Sequence, residues 1–500
     1  MTEVAAVRIS EARYPTVAPF SPSERYPEYQ FAERIAQEPN SVYAGIRELF
    51  RLLGYDALHF GTQAWNPLGH IVGPGMTVVL KPNFVQSTNR NGKGIFAVIT
   101  HPSVLRAIAD YVWIALGGNG AIIIADAPQY DCDWAQLLEE THLDEVMTFY
   151  SQFAGPKVEL VDLRPYWSRW KHFASLLEPL PGDPAGSLHV NLGRRSALHN
   201  RPCGNLYGAG YNRNETIRYH TGDTHEYVVA KTIMNANVVI SVPKLKVHKK
   251  VGVTLNIKGL VGINTNKNCL VHYSIKPPGK GGDQYPDGLL DPMEKALIGT
   301  ERWMYDHLLA SGKRPLEYIH RSVYWIHNHF TRRLGIKVSE KKRLLDAGNW
   351  YGNDSAWRMA VDLYTLFLFT GIDGMIHDAP QRRVFSVVDG IVGGDVNGPL
   401  TPDPVPSGTL LAGENLLAVD LVATRLMGFD PMAVKTFQAL LASSEFDHGI
   451  RGLDEIVIAT NVPSWAHCLS DRKSRFLSFR PHPGWIGHIE IQQQQVCDSR

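Results

Sequence analysis

The chain has 500 residues, of which 44% are hydrophobic and 20% are charged, and its formal net charge is +1. This length and composition suit two globular domains, or one large elaborated domain, with a sizeable buried core. Because a net charge near zero provides no global field that attracts nucleic acid or an anionic membrane, we expect neither as a partner.

The first half of the chain alternates strands with helices. Residues 1–40 are polar and proline-rich and are predicted to form a peripheral N-terminal arm. Residues 41–235 are predicted to form an α/β lobe, with an irregular excursion over residues 164–220. In this lobe, two short apolar runs end in polar residues, one at Lys81 and the other at Asp126. Strands that alternate with longer helices predict a parallel, doubly wound sheet.

A central strand then leads into a stretch rich in lysine and glycine, and the two are predicted to occupy residues 236–290. The apolar run Val238–Val242 reads as a buried strand that ends at Pro243, which cannot donate to a ladder. Ten lysines and histidines follow up to Lys280, and no aspartate or glutamate interrupts them. Apolar residues are interleaved with these basic ones, so part of the stretch must be buried, and a buried lysine needs a partner or a shifted pKa.

This stretch predicts a site for an anion, such as a phosphate, a carboxylate or a developing oxyanion. The alternative is a solvated basic loop without a ligand. The absence of local acids and the interleaved apolar residues favour the anion site.

The second half is predicted to contain a helix-rich insertion at 291–350, a second α/β part at 351–490 and a polar tail at 491–500. Three histidines of the insertion lack a carboxylate at metal-binding spacing and are interpreted as structural or exposed: His320, His327 and His329. A helix over Asp354–Phe369 is predicted to be capped by Asp354 and to direct Arg358 towards the cleft. The overall prediction is an α/β fold with mostly parallel doubly wound sheets in two lobes.

Another predicted strand, Ser386–Val388, ends at Asp389. A loop rich in glycine and proline follows and carries Asp395. Because oxygen ligands suit Mg²⁺, these two aspartates are predicted to hold that ion against a phosphate.

Several segments resemble the DUF362 family of uncharacterised α/β proteins. The resemblance rests on these motifs, in order: LKPNFVQ (80–86), THPSV (100–104), SVPKLKVHKKVGVTLNIKGLVG (241–262), GNWYGNDSAWRMAVDL (348–363), VVDGIVGGDVNGP (387–399) and LLAVDLVATRLMG (416–428). The resemblance implies an α/β fold but no particular activity. Many members of that family carry ferredoxin-like cysteine motifs, which this chain lacks, so no iron–sulfur role is implied.

The cysteines and the N-terminal sequence predict a cytoplasmic protein. Five cysteines are far apart and form no CxxC pair, which argues against a disulfide framework and against cysteine-based zinc or iron–sulfur sites. The N-terminus lacks the basic start and apolar centre of a secretory signal. No apolar run approaches the ~20 residues that span a bilayer.

Polar residues at strand ends of an open parallel sheet are expected to meet at one edge and to form a site there. A lysine in a cationic cluster is pushed towards neutrality, and a histidine can move a proton near neutral pH. The candidate catalytic residues are Lys244, His248, His101 and Asp389. The candidate substrate-binding residues are Lys81, Asn83, Lys246, Lys258 and Arg358.

Two functions remain open for a site of this kind. One is an enzyme, oxidoreductase- or isomerase-like, that acts on a small anionic metabolite by acid–base or hydride-type chemistry. The other is a non-catalytic protein that binds such a metabolite. Catalysis requires a lysine or histidine poised near neutrality, whereas a binding protein needs its lysines charged. A nucleic-acid binder is less favoured, because no aromatic stacking pattern accompanies the lysines.

Overall fold

A ten-stranded sheet lies at the centre of the fold. The computed structural model describes residues 1–31, 33–171, 174–210, 212–309 and 338–491, together with 319, 322–326, 329, 331 and 333. In chain order, the strands of these residues are β1 Thr2–Arg8, β2 Thr77–Pro82, β3 Ala121–Asp126, β4 Lys157–Asp162, β5 Tyr166–Lys171, β6 Ala174–Pro179, β7 Ser187–Asn191, β8 Leu206–Gly208, β9 His220–Thr221, β10 Thr224–Ala230, β11 Val238–Val242, β12 Lys244–His248, β13 Gly252–Val253, β14 Val271–Ser274, β15 Arg383–Asp395, β16 Asp403–Gly413 and β17 Ile456–Thr460.

Helices connect and cover these strands. In chain order they are α1 Ser41–Leu52, α2 Pro102–Leu116, α3 Trp134–Thr141, α4 Leu143–Tyr150, α5 Arg213–Tyr219, α6 Lys231–Met234, α7 Leu255–Gly259, α8 Pro292–Met304, α9 Glu340–Arg343, α10 Ala356–Phe369, α11 Leu416–Leu426 and α12 Lys435–Leu441. In the part of the chain described, no helix combines the length and the apolarity needed to cross a bilayer.

The order of the central strands is β17-β1-β16-β15-β11-β2-β3-β4. After β11 ends, β12 pairs with the continuation of β15, and β13 pairs with β12. Strands β15, β11, β2, β3 and β4 are parallel to one another, whereas β16 is antiparallel to both of its neighbours. The predicted α/β class with a mostly parallel sheet is confirmed. Strands from both predicted lobes pair within this single sheet.

Alternation along the strands explains why helices cover both faces of the sheet. Val78 and Leu80 of β2 pack into the core that contains α1 and α2, whereas Val79 packs into the core that contains α10 and α11. Successive side chains of a strand point to opposite faces, and a sheet buried on both faces needs continuous apolar runs. The apolar runs in the sequence therefore correspond to central, doubly covered strands.

The N-terminal segment is not a peripheral arm throughout, because its first residues form β1. This strand pairs with β16 on one side and with β17 on the other, and Val4 to Val7 are fully or almost fully buried. The signal for this strand was a run of only four apolar residues, two of them alanine. That run is shorter and smaller than those that reveal the other central strands.

Strand β15 continues past the predicted end at Asp389 and reaches Asp395. The extension is stabilised by antiparallel pairing with β16 and by parallel pairing with β12, in which Lys244 lies opposite Asp389. Asp389 therefore lies within a strand and not at its end. The second half of β15 is rich in glycine, a composition typical of loops, so the sequence predicted a loop there.

The cap of α10 also differs from the prediction. The helix begins at Ala356, and the Oδ1 of Asn353 accepts hydrogen bonds from the backbone N–H groups of Ser355 and Ala356, at 3.0 and 2.8 Å. The prediction that Asp354 is the cap is wrong, because its carboxylate instead binds Arg201 at 2.6 Å. Asn353 satisfies the first free N–H groups in its place.

The predicted helix-rich insertion is described in part. Helices α8 and α9 belong to it, and His329 is among the described residues. His320 and His327, as well as residues 492–500 of the predicted tail, lie outside the described residues.

The burial of β1 predicts a strong contrast between two neighbouring substitutions. Val4→Lys should lower the free energy of unfolding by about 4 kcal/mol or more, because it places an unpaired charge in the apolar core on one face of the sheet. Glu3→Lys introduces the same side chain at an exposed position and should change it by less than about 0.5 kcal/mol. Urea denaturation followed by circular dichroism measures both, and equal effects would contradict the central position of β1.

Candidate functional site

A cavity of about 410 Å³ lies at the edge of the sheet where β2, β3 and β11 end. In open α/β sheets, ligands bind outside the carboxyl ends of the parallel strands, which is where this cavity lies. It is lined by six basic side chains, those of Lys246, Lys249, Lys250, Lys258, Lys267 and Arg302.

The acidic residues that line the cavity are already neutralised by residues outside it. Asp126 accepts a hydrogen bond from Lys81 at 2.9 Å, and Asp131 pairs with Arg90 at 2.7 Å. Neither Lys81 nor Arg90 lines the cavity. Among the described residues, the six cavity cations therefore have no free acid within the cavity, and its potential favours anions.

Three of the six cations donate to backbone carbonyl groups, and one of them, Lys250, donates to that of Ala347. Lys246 donates to the carbonyls of Val98 and Pro399, at 2.6 and 3.2 Å. Lys267 donates to three carbonyls, at 2.7, 3.0 and 3.3 Å. Burial and neighbouring lysines lower the pKa of Lys246 well below its usual range, and burial lowers that of Lys267 to about 7. The carbonyl groups position these amines without neutralising their charge.

Lys258 differs from these three lysines, because its amine has no partner among the described residues. The residue is 7% exposed and lines the cavity, and its Nζ makes no hydrogen bond or ion pair within the described part of the chain. Burial, together with the nearby Lys267, lowers the pKa of Lys258 to about 7. At neutral pH a substantial fraction of this amine is therefore uncharged, and its lone pair is free to accept a proton.

Two histidines of the cavity carry opposite hydrogen-bonding functions. The Nδ1 of His248 accepts a hydrogen bond from the backbone N–H of Lys250 at 3.1 Å, which places the proton of the neutral ring on Nε2. The Nδ1 of His272 donates to the carbonyl of Leu270 at 3.0 Å, which leaves its Nε2 as an acceptor. Burial lowers the pKa of both histidines well below 6.5, so both rings are neutral at pH 7.

The turn that carries Lys258 is held in a strained conformation. Leu255, the first residue of α7, has a φ of +47°, in the left-handed region that non-glycine residues rarely adopt. The Asp420 carboxylate, on α11, accepts hydrogen bonds from the backbone N–H groups of Asn256 and Ile257, both at 2.9 Å. It also accepts one from the Asn256 side chain at 2.7 Å. Asp420 therefore fixes α7, and α7 fixes Lys258.

Two glycines near this turn have different roles. A Cβ atom on Gly262 would lie 2.0 Å from the Oδ1 of Asp126 and 2.6 Å from the Nζ of Lys81, so the ion pair requires glycine there. A Cβ atom on Gly259 would meet no atom within 4 Å. Packing does not demand glycine at position 259, and its missing side chain leaves room in the cavity.

Three predicted catalytic residues lie together, but away from the cavity. The Nζ of Lys244 donates to Asp389 at 3.0 Å and to the hydroxyl of Tyr14, and both charged side chains are fully buried. The backbone N–H of His101 donates to the same carboxylate at 2.9 Å, and its ring stacks on Tyr14 at 4.0 Å. None of these residues lines the cavity. This geometry describes a buried structural ion pair.

Of the other predicted site residues, Asn83, Lys246, His248 and Lys258 line the cavity. Arg358 does not line it, because its guanidinium binds the Asp354 side chain and the carbonyl of Ala197. Lys81 lies just behind the lining and neutralises Asp126.

The structure offers no Mg²⁺ site at the two predicted aspartates. The Asp389 carboxylate is paired with Lys244, and both oxygens of Asp395 accept hydrogen bonds from the guanidinium of Arg480, at 2.9 and 3.0 Å. Within the described ranges, no group of three or more histidine, cysteine, aspartate or glutamate side chains could hold a metal ion.

Sequence reasoning missed several residues of the site. Lys267 and His272 fall in the acid-free stretch, so the same signal that selected Lys258 could have selected them. Arg302 lies in the insertion and Asp420 lies in an apolar helix, and no local pattern distinguished either one.

The hydrogen bonds by which Asp420 holds α7, here called the clamp, lead to a prediction about Asp420. Asp420→Ala should lower the free energy of unfolding by about 2–4 kcal/mol, because it leaves buried N–H groups without an acceptor. Asp378→Ala, at an exposed loop position, is the control and should change it by less than about 0.5 kcal/mol. Chemical denaturation measures both, and similar midpoints for the two variants would contradict the clamp.

Comparison with known proteins identifies the family. The family described as "Domain of unknown function (DUF362)" matches residues 78–178 and 182–425. No curated protein and no solved structure matches the chain significantly. The matched residues include strands β3, β11 and β12 and all of β2 except Thr77, and the ends of these strands build the cavity. Since the match covers more than half of the sequence, the chain belongs to the DUF362 family.

Proposed function

We propose that this protein is an enzyme that binds a small anionic substrate in the cavity and uses Lys258 as a general base. The observation that carries the proposal is a buried amine that has no acidic partner among the described residues, in a cavity lined by six basic side chains. An amine that titrates near neutrality can accept a proton at physiological pH, as a general base must. A fully charged lysine could attract the substrate but could not accept a proton from it.

The remaining basic groups support recognition of a phosphate or carboxylate. Carbonyl groups hold Lys246 and Lys267 in place, and a bound anion would favour the charged forms of both amines. Burial, followed by other nearby lysines, lowers the pKa values of Lys246 and Lys267 in the free protein, and a substrate anion would oppose this shift.

The two histidines supply a donor and an acceptor for the same reaction. His248 presents an N–H group that can stabilise negative charge developing on a substrate oxygen, as a neutral imidazole does in other enzymes. His272 presents an unprotonated nitrogen that can receive or relay a proton. Together with Lys258, these groups support proton transfer of the kind that an isomerase performs.

A second candidate function is binding of an anionic metabolite without chemistry. The observation that favours it is the fixation of Lys246 and Lys267 by backbone carbonyl groups, which suits a rigid receptor for charge. The protonation state of Lys258 near pH 7 distinguishes this function from catalysis.

The first test of the proposal is binding of sulfate, measured by isothermal titration calorimetry. Lys258→Met should weaken sulfate binding about tenfold or more, because it removes an unpaired cation from the cavity. Lys280→Met is the matched control, since Lys280 is an exposed residue of the same stretch and should leave affinity unchanged. Gly259→Leu should also weaken binding while the fold persists, because the new side chain enters open space.

The second test is the pH dependence of the same binding. The charge of sulfate is constant between pH 6 and pH 9, so a change in affinity reports the protein. Lys258 has a pKa of about 7 and is charged below it, so sulfate should bind more weakly as the pH rises through that value. The Lys258→Met variant should show a smaller pH dependence.

The reactivity of the amine separates the enzyme from the binding protein. Acetic anhydride attacks only the neutral amine, and peptide mass spectrometry follows the labelling of Lys258 against pH. A labelling midpoint near pH 7 supports a general base. A midpoint near 10, the value of an ordinary lysine, would contradict that role and favour a binding protein.

A further inference from the structure

The cavity contains a second group of cations that is built separately from the first. The first group consists of Lys246, Lys258 and Lys267 and lies against the ends of the parallel strands, where Lys267 donates to the carbonyl of Ala127. The second group consists of Lys250 and Arg302.

An aromatic support positions the second group. The Nζ of Lys250 lies 5.1 Å from the ring centroid of Tyr273, and the guanidinium carbon of Arg302 lies 5.5 Å from the same centroid. Arg302 also lies 4.9 Å from the ring of Tyr207, and the two tyrosine rings stack at 5.0 Å. Cation–π contacts position both groups, and the Nζ of Lys250 also donates to the carbonyl of Ala347. Burial lowers the pKa of Lys250 well below its usual range, so a bound anion would favour its charged form.

This second group also contains hydrogen-bond donors without acceptors. The Nε of Arg302 and the hydroxyl of Tyr273 are buried and have no hydrogen-bond partner among the described residues. The nearest acid, Asp346, lies 3.8 Å from the Arg302 guanidinium, which is beyond hydrogen-bonding distance. Arg302 and Tyr273 both line the cavity, and Tyr273 is 4% exposed. A buried donor without an acceptor is unfavourable, and an anionic ligand group would satisfy it.

We infer that the substrate carries two separate anionic groups, one bound by the strand-edge lysines and the other by Arg302 and Lys250. This inference rests on the proposed function and narrows its substrate class to dicarboxylates or phosphorylated carboxylic acids. A cavity of about 410 Å³ falls in the size range of sites for whole metabolites and exceeds the needs of a single inorganic anion.

A series of straight-chain dicarboxylates tests the inference, because chain length acts as a ruler between the two groups of cations. Each acid from malonate to suberate is compared by calorimetry with the monocarboxylate of equal carbon number. One intermediate length should bind at least tenfold more tightly than its monocarboxylate, since the second contact becomes intramolecular. Shorter and longer dicarboxylates should lose this advantage.

Substitutions then show which group of cations binds each carboxylate of the ligand. Arg302→Gln should reduce the affinity of the best dicarboxylate to that of its monocarboxylate, whereas Lys258→Met should weaken both. Lys295→Gln, at an exposed position of the same helix, should change neither. Arg302→Lys keeps the charge above the tyrosines and should retain part of the advantage, which separates loss of the contact from loss of the fold.

Two outcomes contradict the inference in different ways. If monocarboxylates bind as tightly as every dicarboxylate and still depend on Lys258, the second anionic group is overturned while the proposed function stands. If neither class binds, both the inference and the proposed function fail.

Discussion

The constraint on which this site depends is the burial of several lysines within a stretch that contains no acid. Each buried cation must find a partner from elsewhere in the chain or lose its proton. Lys244 binds Asp389, and Lys246, Lys250 and Lys267 bind carbonyl groups, whereas the amine of Lys258 has no partner in the part of the chain that the structure describes. The chemistry proposed for the cavity follows from this unequal distribution of partners.

Strand β12 shows how one short segment separates structural from functional cations. Lys244, Lys246 and His248 share one face of the strand, and Leu245 and Val247 pack into the core from the other face. Lys244 comes first and lies opposite Asp389 in the neighbouring strand. The next two residues on that face, each about 6.6 Å further along, have passed the carboxylate and reach the cavity. Position along the strand decides which lysine is neutralised.

The sequence could predict the fold class and the anion site as a region, because apolar runs and missing acids are local signals. It could not distinguish Lys244 from Lys258, since the carboxylate that neutralises Lys244 lies 145 residues away in the chain. The same limit hid Asp420, which is 164 residues from Asn256. Strand β1 was not predicted, because a run of only four small apolar residues is also common in loops. Contacts between residues far apart in the chain therefore decide which predicted site residues line the cavity and which are structural.

The predicted catalytic residues that lie outside the cavity still serve it. The Asp389 carboxylate accepts hydrogen bonds from Tyr14, from the backbone at His101 and from Lys244, so it joins the N-terminal segment, the start of α2 and strand β12. This junction holds β12 against β15, and β12 presents Lys246 and His248 to the cavity. A buried ion pair of this kind contributes little net stability but fixes geometry when every partner is satisfied. The acid that appeared to be catalytic in the sequence thus positions the strand from which two cavity residues arise.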